Sequence, residues 1–220
     1  HGDESYFIDE LTTNIIDCAL EEHERDFNQT TYYYGKDVSI EDIIATCKRF
    51  PMMSDRQVVV IKEAQNLAKS IDKLKNYFEN PTPTTILVLN YKFKTIRSNS
   101  KILKSIGSNG IVFKSEKIKD YKLPDWILTR FSSLGLKATP KEAILMSDFI
   151  GNDLEKINHE IEKLKLVLKD KNTITSELIE KHIGISKEYN MFELSNALSS
   201  RDLRKIQQIS NYAQNNPKNF

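Results

Sequence analysis

The sequence predicts an α/β protein: a parallel sheet covered by helices on both faces, followed by an all-helical part. Short runs of apolar β-formers, QVVVI at Gln57 to Ile61 and TILVL at Thr85 to Leu89, are separated by a segment with helical spacing. These runs are unbroken rather than alternating, the pattern of strands buried on both faces. Strand character ends at Lys114, and everything beyond it is helical in period.

The elements follow in order. Phe7, Leu11, Ile15, Cys18 and Ala19 recur at helical spacing and predict an amphipathic helix from Tyr6 to Glu22. Thr30 to Tyr34 is a short β-prone run ended by Gly35, and Ser39-Ile40-Glu41-Asp42 resembles a capping box that opens a helix through Cys47. After the Gln57 strand, Leu67, Ile71, Leu74 and Phe78 predict a helix stopped by Asn80-Pro81-Thr82-Pro83. Beyond the Thr85 strand a helix is expected from Ile96 to Ile106, broken by Gly107 and Gly110, and then a strand at Ile111 to Phe113. Lys114 to Lys122 reads as a polar connector. Helices are then expected from Leu123 to near Gly135, from Thr139-Pro140-Lys141-Glu142 onward, along the Leu154, Ile157, Ile161, Leu164, Leu168 stripe, and at Thr175 to Ile183. A further helical region begins at Glu188. Neither terminus reads as natural: the chain opens as if just after a first strand and closes in mid-pattern.

At 220 residues, 39% hydrophobic and 29% charged, the chain has the make-up of a soluble globular protein with a real core. Net charge is only +1, yet its distribution is uneven. Asp3, Glu4, Asp9, Glu10, Asp17, Glu21, Glu22, Glu24 and Asp26 face a lone Arg25, whereas Lys92, Lys94, Arg97, Lys101 and Lys104 have no acidic residue among them. Such a basic run suits a polyanion or an acidic partner, and equally a solvated face. Cys18 and Cys47 lack a CxxC spacing and read as buried thiols of a reducing compartment. No stretch has the length of a membrane span, so a cytoplasmic location without membrane contact is expected.

The chemistry of nucleotide hydrolysis is missing from where this layout would place it. A phosphate-binding loop needs glycines, a lysine and a hydroxyl after the first strand. The matching stretch keeps Gly2 but then reads Asp3-Glu4-Ser5-Tyr6-Phe7-Ile8-Asp9, and Phe7, Ile8 and Asp9 stand where Gly-Lys-Thr belongs. At the end of the Gln57 strand, Lys62 replaces the acidic Mg²⁺ ligand, leaving Glu63 with no metal to work beside. His1, His23, His159 and His182 share no ligand spacing, and no GxSxG or HExxH occurs. No metal, cofactor or catalytic residue is therefore expected.

The ordered set HGDESYFIDE, SIEDIIATCKRFPMMSDRQVVVIKEAQNL, YFENPTPTTILVL, GNDLEKINHEIEKL and NMFELSNAL resembles the delta-subunit family of the bacterial DNA polymerase III clamp loader, over essentially the whole chain. The resemblance implies an AAA+ fold: a RecA-like domain at 1–117 with a decayed nucleotide site, a helical lid domain at 118–185, and the truncated start of a helical collar domain at 186–220. Lys62 to Gln65 (KEAQ) then reads as a decayed Walker B motif. The family implies no ATP hydrolysis by this subunit, which serves a DNA-directed DNA polymerase (nucleotidyltransferase) holoenzyme without catalysis of its own. It also implies partners: the ring-shaped sliding clamp (beta), the gamma/tau and delta-prime subunits of a hetero-pentamer, and DNA through the assembled complex.

In that family an adjacent apolar pair before the Walker B strand enters a pocket on the clamp. The matching residues are Met52 and Met53, in Phe50-Pro51-Met52-Met53-Ser54, where relatives often carry a Leu and a bulky aromatic. Taken on residue type alone, the pair plugs the gap between helix and strand or stands out as an anchor. Lys94, Arg97, Lys101 and Lys104 are candidates for DNA or subunit contact. Two other readings compete: an ATP-hydrolysing gamma/tau or delta-prime relative, which calls for the missing Gly-Lys-Thr loop, and a non-replicative interaction scaffold.

Overall fold

A computed structural model describes residues 1–33, 38–107, 109–169, 171–183 and 191–215. Two compact units divide the chain, His1–Lys117 and Ile118–Phe220. The first contains α1 (Ser5–Ala19), α2 (Arg25–Asn28), β1 (Gln29–Tyr32), α3 (Ile40–Cys47), β2 (Gln57–Ile61), α4 (Lys75–Glu79), β3 (Thr85–Leu89) and α5 (Lys101–Ile106). The three strands form one sheet in the order β1-β2-β3, all parallel, with Gln29 opposite Val58 and Val58 opposite Ile86.

The central strand explains the sheet. Each residue of β2 is buried, and its side chains divide by the period of two. Val59 and Ile61 join Ile43, Cys47, Leu74, Tyr77 and Ile102 on one face, while Val58 and Val60 meet Leu20, with Ile16 of α1 packed alongside, on the other. Burial on both faces is what the unbroken run predicted for β2, whereas β3, read from TILVL as buried in the same way, is only half-buried along its length. α3 opens on Ser39, whose hydroxyl accepts the Asp42 N–H while the Asp42 carboxylate bonds back to Ser39, the expected capping box.

Several expectations give way. The buried face of α1 is Ile8 and Thr12, with Leu20 following, and Leu11 is exposed, so the apolar stripe is rotated from the Phe7, Leu11, Ile15 reading. Cys18 is consequently exposed, and only Cys47 is a buried thiol. α1 stops at Ala19, and a 3₁₀ turn at Glu22–Glu24 leads into α2, neither of which periodicity indicated. The expected helix from Leu67 to Phe78 is two 3₁₀ turns, Ala64–Leu67 and Ile71–Leu74, before α4; the Ser70 hydroxyl donates to Leu67 O and closes the first turn locally. α5 begins only at Lys101, because Ser100 caps it through the Leu103 N–H. Ile111 to Phe113 forms no strand: all three are exposed, and pairing beside them is limited, among the described residues, to the isolated parallel bridge of Gly2 with Ser115 and the His1 ammonium on Phe113 O. Tyr34 and Gly35 lie outside the described residues.

In the second unit α6 (Leu123–Ser133), α7 (Pro140–Ile150), α8 (Leu154–Leu168) and α9 (Ser176–His182) surround Ile127, Phe131, Met146, Ile157, Ile161 and Ile179. Thr139 and Glu142 close the capping box of α7, and the Ser176 hydroxyl donates to the same carboxylate. The α8 stripe is buried at Leu154, Ile157, Ile161 and Leu164 as its spacing requires. α10 (Met191–Ser199) and α11 (Leu203–Asn215) follow, while the expected start at Glu188 lies outside the described residues. Among the described residues no helix is long and apolar enough to cross a membrane.

Candidate functional site

Two places concentrate the residues singled out from the sequence. The first is the stretch from Gly2 to Asp9 that the sequence reading set against a phosphate-binding loop, together with Lys62 and Glu63. Glu4 caps α1, its carboxylate accepting the Tyr6 N–H at 3.1 Å, and the residue is buried. A carboxylate thus sits at the helix end that would otherwise receive phosphate. Phe7, Ile8 and Asp9 form the first turns of α1, with Ile8 in the core. Gly2 adopts φ +148°, and a Cβ there would stand 1.8 Å from Ser115 O. The glycine is thus required by close backbone approach to Ser115.

Lys92 is the centre of this place. Its ammonium lies 2.7 Å from the Asp9 carboxylate and 3.5 Å from that of Glu63, with its side chain 10% exposed. Its backbone N–H donates to Gln65 Oε1 at 3.0 Å, and Gln65 Nε2 donates to the Glu63 carboxylate. Glu63 itself holds a left-handed φ of 56°. Lys62 ends β2 with its N–H on Tyr32 O and its ammonium 5.3 Å from the centre of the Tyr33 ring. The KEAQ stretch is therefore tied to α1 and the end of β3 by an internal cation. Lys92, counted with the basic run in the sequence, belongs here rather than on the surface. The neighbouring cavity of about 560 Å³ is largely apolar, lined by Ile8, Leu11, Ile86, Val88, Phe78 and Tyr91 among others. Among the described residues no cluster of His, Cys, Asp and Glu has the arrangement of a metal site.

The second place is the turn between α3 and β2. Gln57 Nε2 donates to Thr46 O, Arg49 O and Thr85 Oγ1, and the Thr85 hydroxyl donates to Cys47 O at 2.7 Å. Two strands thereby satisfy carbonyls at the end of α3 that a helix leaves unpaired. Phe50 precedes a proline and is held from continuing the helix. Phe50 is 84%, Met52 59% and Met53 103% exposed. Met53 has φ 54°, a left-handed conformation that costs a non-glycine residue roughly 1–2 kcal/mol. Apolar side chains at the end of an element ordinarily turn inward, whereas these face solvent.

Lys94, Arg97, Lys101 and Lys104 are all exposed, the last two on α5. Sequence reasoning missed Asn28, Gln57 and Lys92 as organisers of these places, since each is a polar residue whose burial depends on distant partners. The nearest signal was the absence of an acidic residue around Lys92.

The family model for the DNA polymerase III delta subunit matches residues 1–116. The chain is 22% identical over 222 residues to DNA polymerase III subunit delta of Bacillus subtilis, covering 95% of this chain and 62% of that protein. It is 20% identical over 226 residues to the probable DNA polymerase III subunit delta of Aquifex aeolicus, covering 95% of this chain and 61% of that one. It therefore spans a little over three-fifths of these relatives. In structure it resembles the Bacillus subtilis DNA clamp loader delta protein, with a TM-score of 0.72, 20% identity and coverage of 97% of this chain and 66% of that chain. The architecture is that of the clamp-loader delta fold, and the chain belongs to the DNA polymerase III delta-subunit family.

Proposed function

We propose that this chain grips and opens the ring-shaped sliding clamp as part of a clamp loader, with Met52 and Met53 as its anchor and without hydrolysing ATP. One observation carries the reading: the turn holds Met53 wholly in solvent at a strained backbone angle. Two flexible, polarizable side chains presented in this way fit an irregular apolar pocket on a partner. The Gln57 and Thr85 bonds anchor the end of α3 just ahead of this turn. Lack of hydrolysis is supported by the Glu4 cap and by the Asp9–Lys92–Glu63 cluster, which on this reading stand in place of phosphates and metal.

The wider reading follows the family. The chain works beside gamma/tau and delta-prime subunits in the cytoplasm, as a non-catalytic part of the polymerase holoenzyme, with a RecA-like domain at 1–117 and with residues 118–220 divided by the family's pattern into a lid at 118–185 and the start of a collar at 186–220. Lys94, Arg97, Lys101 and Lys104 form a basic face toward DNA or a neighbouring subunit. Calorimetric titration of the cognate clamp, without ATP, tests the grip. Wild-type binding that Met52→Ala/Met53→Ala reduces at least tenfold, with the fold intact by circular dichroism, supports it. Equal binding by both proteins removes the pair from the reading, and no binding by either removes the grip.

A further inference from the structure

Asn28 ends α2 immediately before β1, and the register that sets Gln29 opposite Val58 brings it beside the loop entering β2. It is 3% exposed. Its amide makes a paired contact with one backbone unit: Oδ1 accepts the Met52 N–H at 2.7 Å and Nδ2 donates to Met52 O at 2.9 Å. Nδ2 also donates to Glu24 O at 3.2 Å. Since Pro51 has no N–H, Met52 supplies the first backbone donor of the turn, and this buried side chain satisfies both its donor and its acceptor.

We propose that Asn28 is a positioning residue that presets the Met52–Met53 turn for its partner by bracing the Met52 backbone on both sides. The inference rests on the reading of this turn as the clamp grip. Without the brace, Met52 would have to find other partners, and Met53 would be free to leave its left-handed conformation for an ordinary one. Binding would then carry the cost of ordering the turn, which preorganisation removes. The residue before Asn28, Phe27, is 70% exposed, so the brace joins two segments that both carry an exposed apolar side chain.

The test uses Asn28→Ala and Asn28→Asp, the latter keeping an acceptor for the Met52 N–H but no donor for Met52 O. Amide hydrogen exchange at Met52 is read by NMR in the free protein, and clamp affinity by calorimetry. Exchange at Met52 should quicken at least tenfold in Asn28→Ala and no less in Asn28→Asp, whose second oxygen would face Met52 O and Glu24 O without a proton to give, with clamp affinity falling about tenfold or more in each. Added to Met52→Ala/Met53→Ala, the Asn28→Ala change should weaken binding no further. Unchanged exchange, unchanged affinity or a fully additive loss would overturn the proposal. If Asn28→Ala fails to fold, the Asn28→Asp variant decides by the same two readings. If wild type does not bind the clamp at all, the grip itself falls, while exchange at Met52 still decides whether Asn28 presets the turn.

Discussion

Lys92 illustrates how one side chain alters the meaning of a site. Its ammonium, nearly withdrawn from water, holds Asp9 of α1 and Glu63 after β2 together. Lys92→Met should therefore leave two carboxylates without their shared cation and lower the melting free energy by about 1–3 kcal/mol, less than a fully buried pair because both acids remain partly solvated. Urea titration of the two proteins measures this directly. The cysteines differ in the same way. Burial pushes the Cys47 thiol up to about 11, so native protein at pH 8 should react with a thiol reagent once, at exposed Cys18, and a second time only on unfolding. A raised folded value also means that the contribution of Cys47 is present below its ordinary value of 9.0 and is lost as pH rises toward 11.

At the scale of elements, β2 and the α7 cap carry most of the order. Ile61→Ala removes a buried branched side chain from the face shared with Ile43 and Leu74, and should cost about 2–5 kcal/mol in denaturant unfolding. Glu142 is held below its ordinary value of 4.5, first by the Thr139 hydroxyl and then, against desolvation, by the Ser176 hydroxyl. Its contribution is therefore present above 4.5 and disappears as pH falls through the lower folded value. Glu142→Gln should flatten the acid limb of the stability curve, which melts at pH 3 to 7 would reveal. The strands QVVVI and TILVL and the capped helices were legible because local chemistry alone specifies them. The Ile111 to Phe113 segment has the same composition as a strand but is met by the chain start only at its end, where the His1 ammonium donates to Phe113 O, and a sequence does not display whether a partner edge is present. α1 was read correctly as a helix and wrongly in phase, because Thr12 is buried through bonds to Ile8 O and Asn90 Oδ1 rather than through hydrophobicity.

On the scale of the molecule, Glu4 and Lys92 bring charged groups to the start of α1, which the proposed reading takes as a closed phosphate position, and an apolar turn is presented a short way along the chain. The departures from a nucleotide-binding motif at Phe7 to Asp9 and Lys62 were visible in the sequence, whereas the ion pair beside them was not, since Lys92 reaches Asp9 across 83 residues. Likewise Met52 and Met53 were visible as candidates, but their outward direction depends on Gln57, Thr85 and Asn28. If the basic face meets DNA in an assembled loader, Lys101→Glu/Lys104→Glu should weaken binding and reduce its salt slope by about 2, and an identical slope would assign those residues to solvent. The most direct measurement of the central claim is site-specific photocrosslinking of the full-length protein to the cognate clamp. A diazirine side chain at Met53 should capture the clamp at an apolar pocket with no ATP present, while the same group at Ile144, exposed in the second unit, should not. Capture from Ile144 alone, or a Met53 product that forms only with ATP, would contradict a nucleotide-independent grip through this turn.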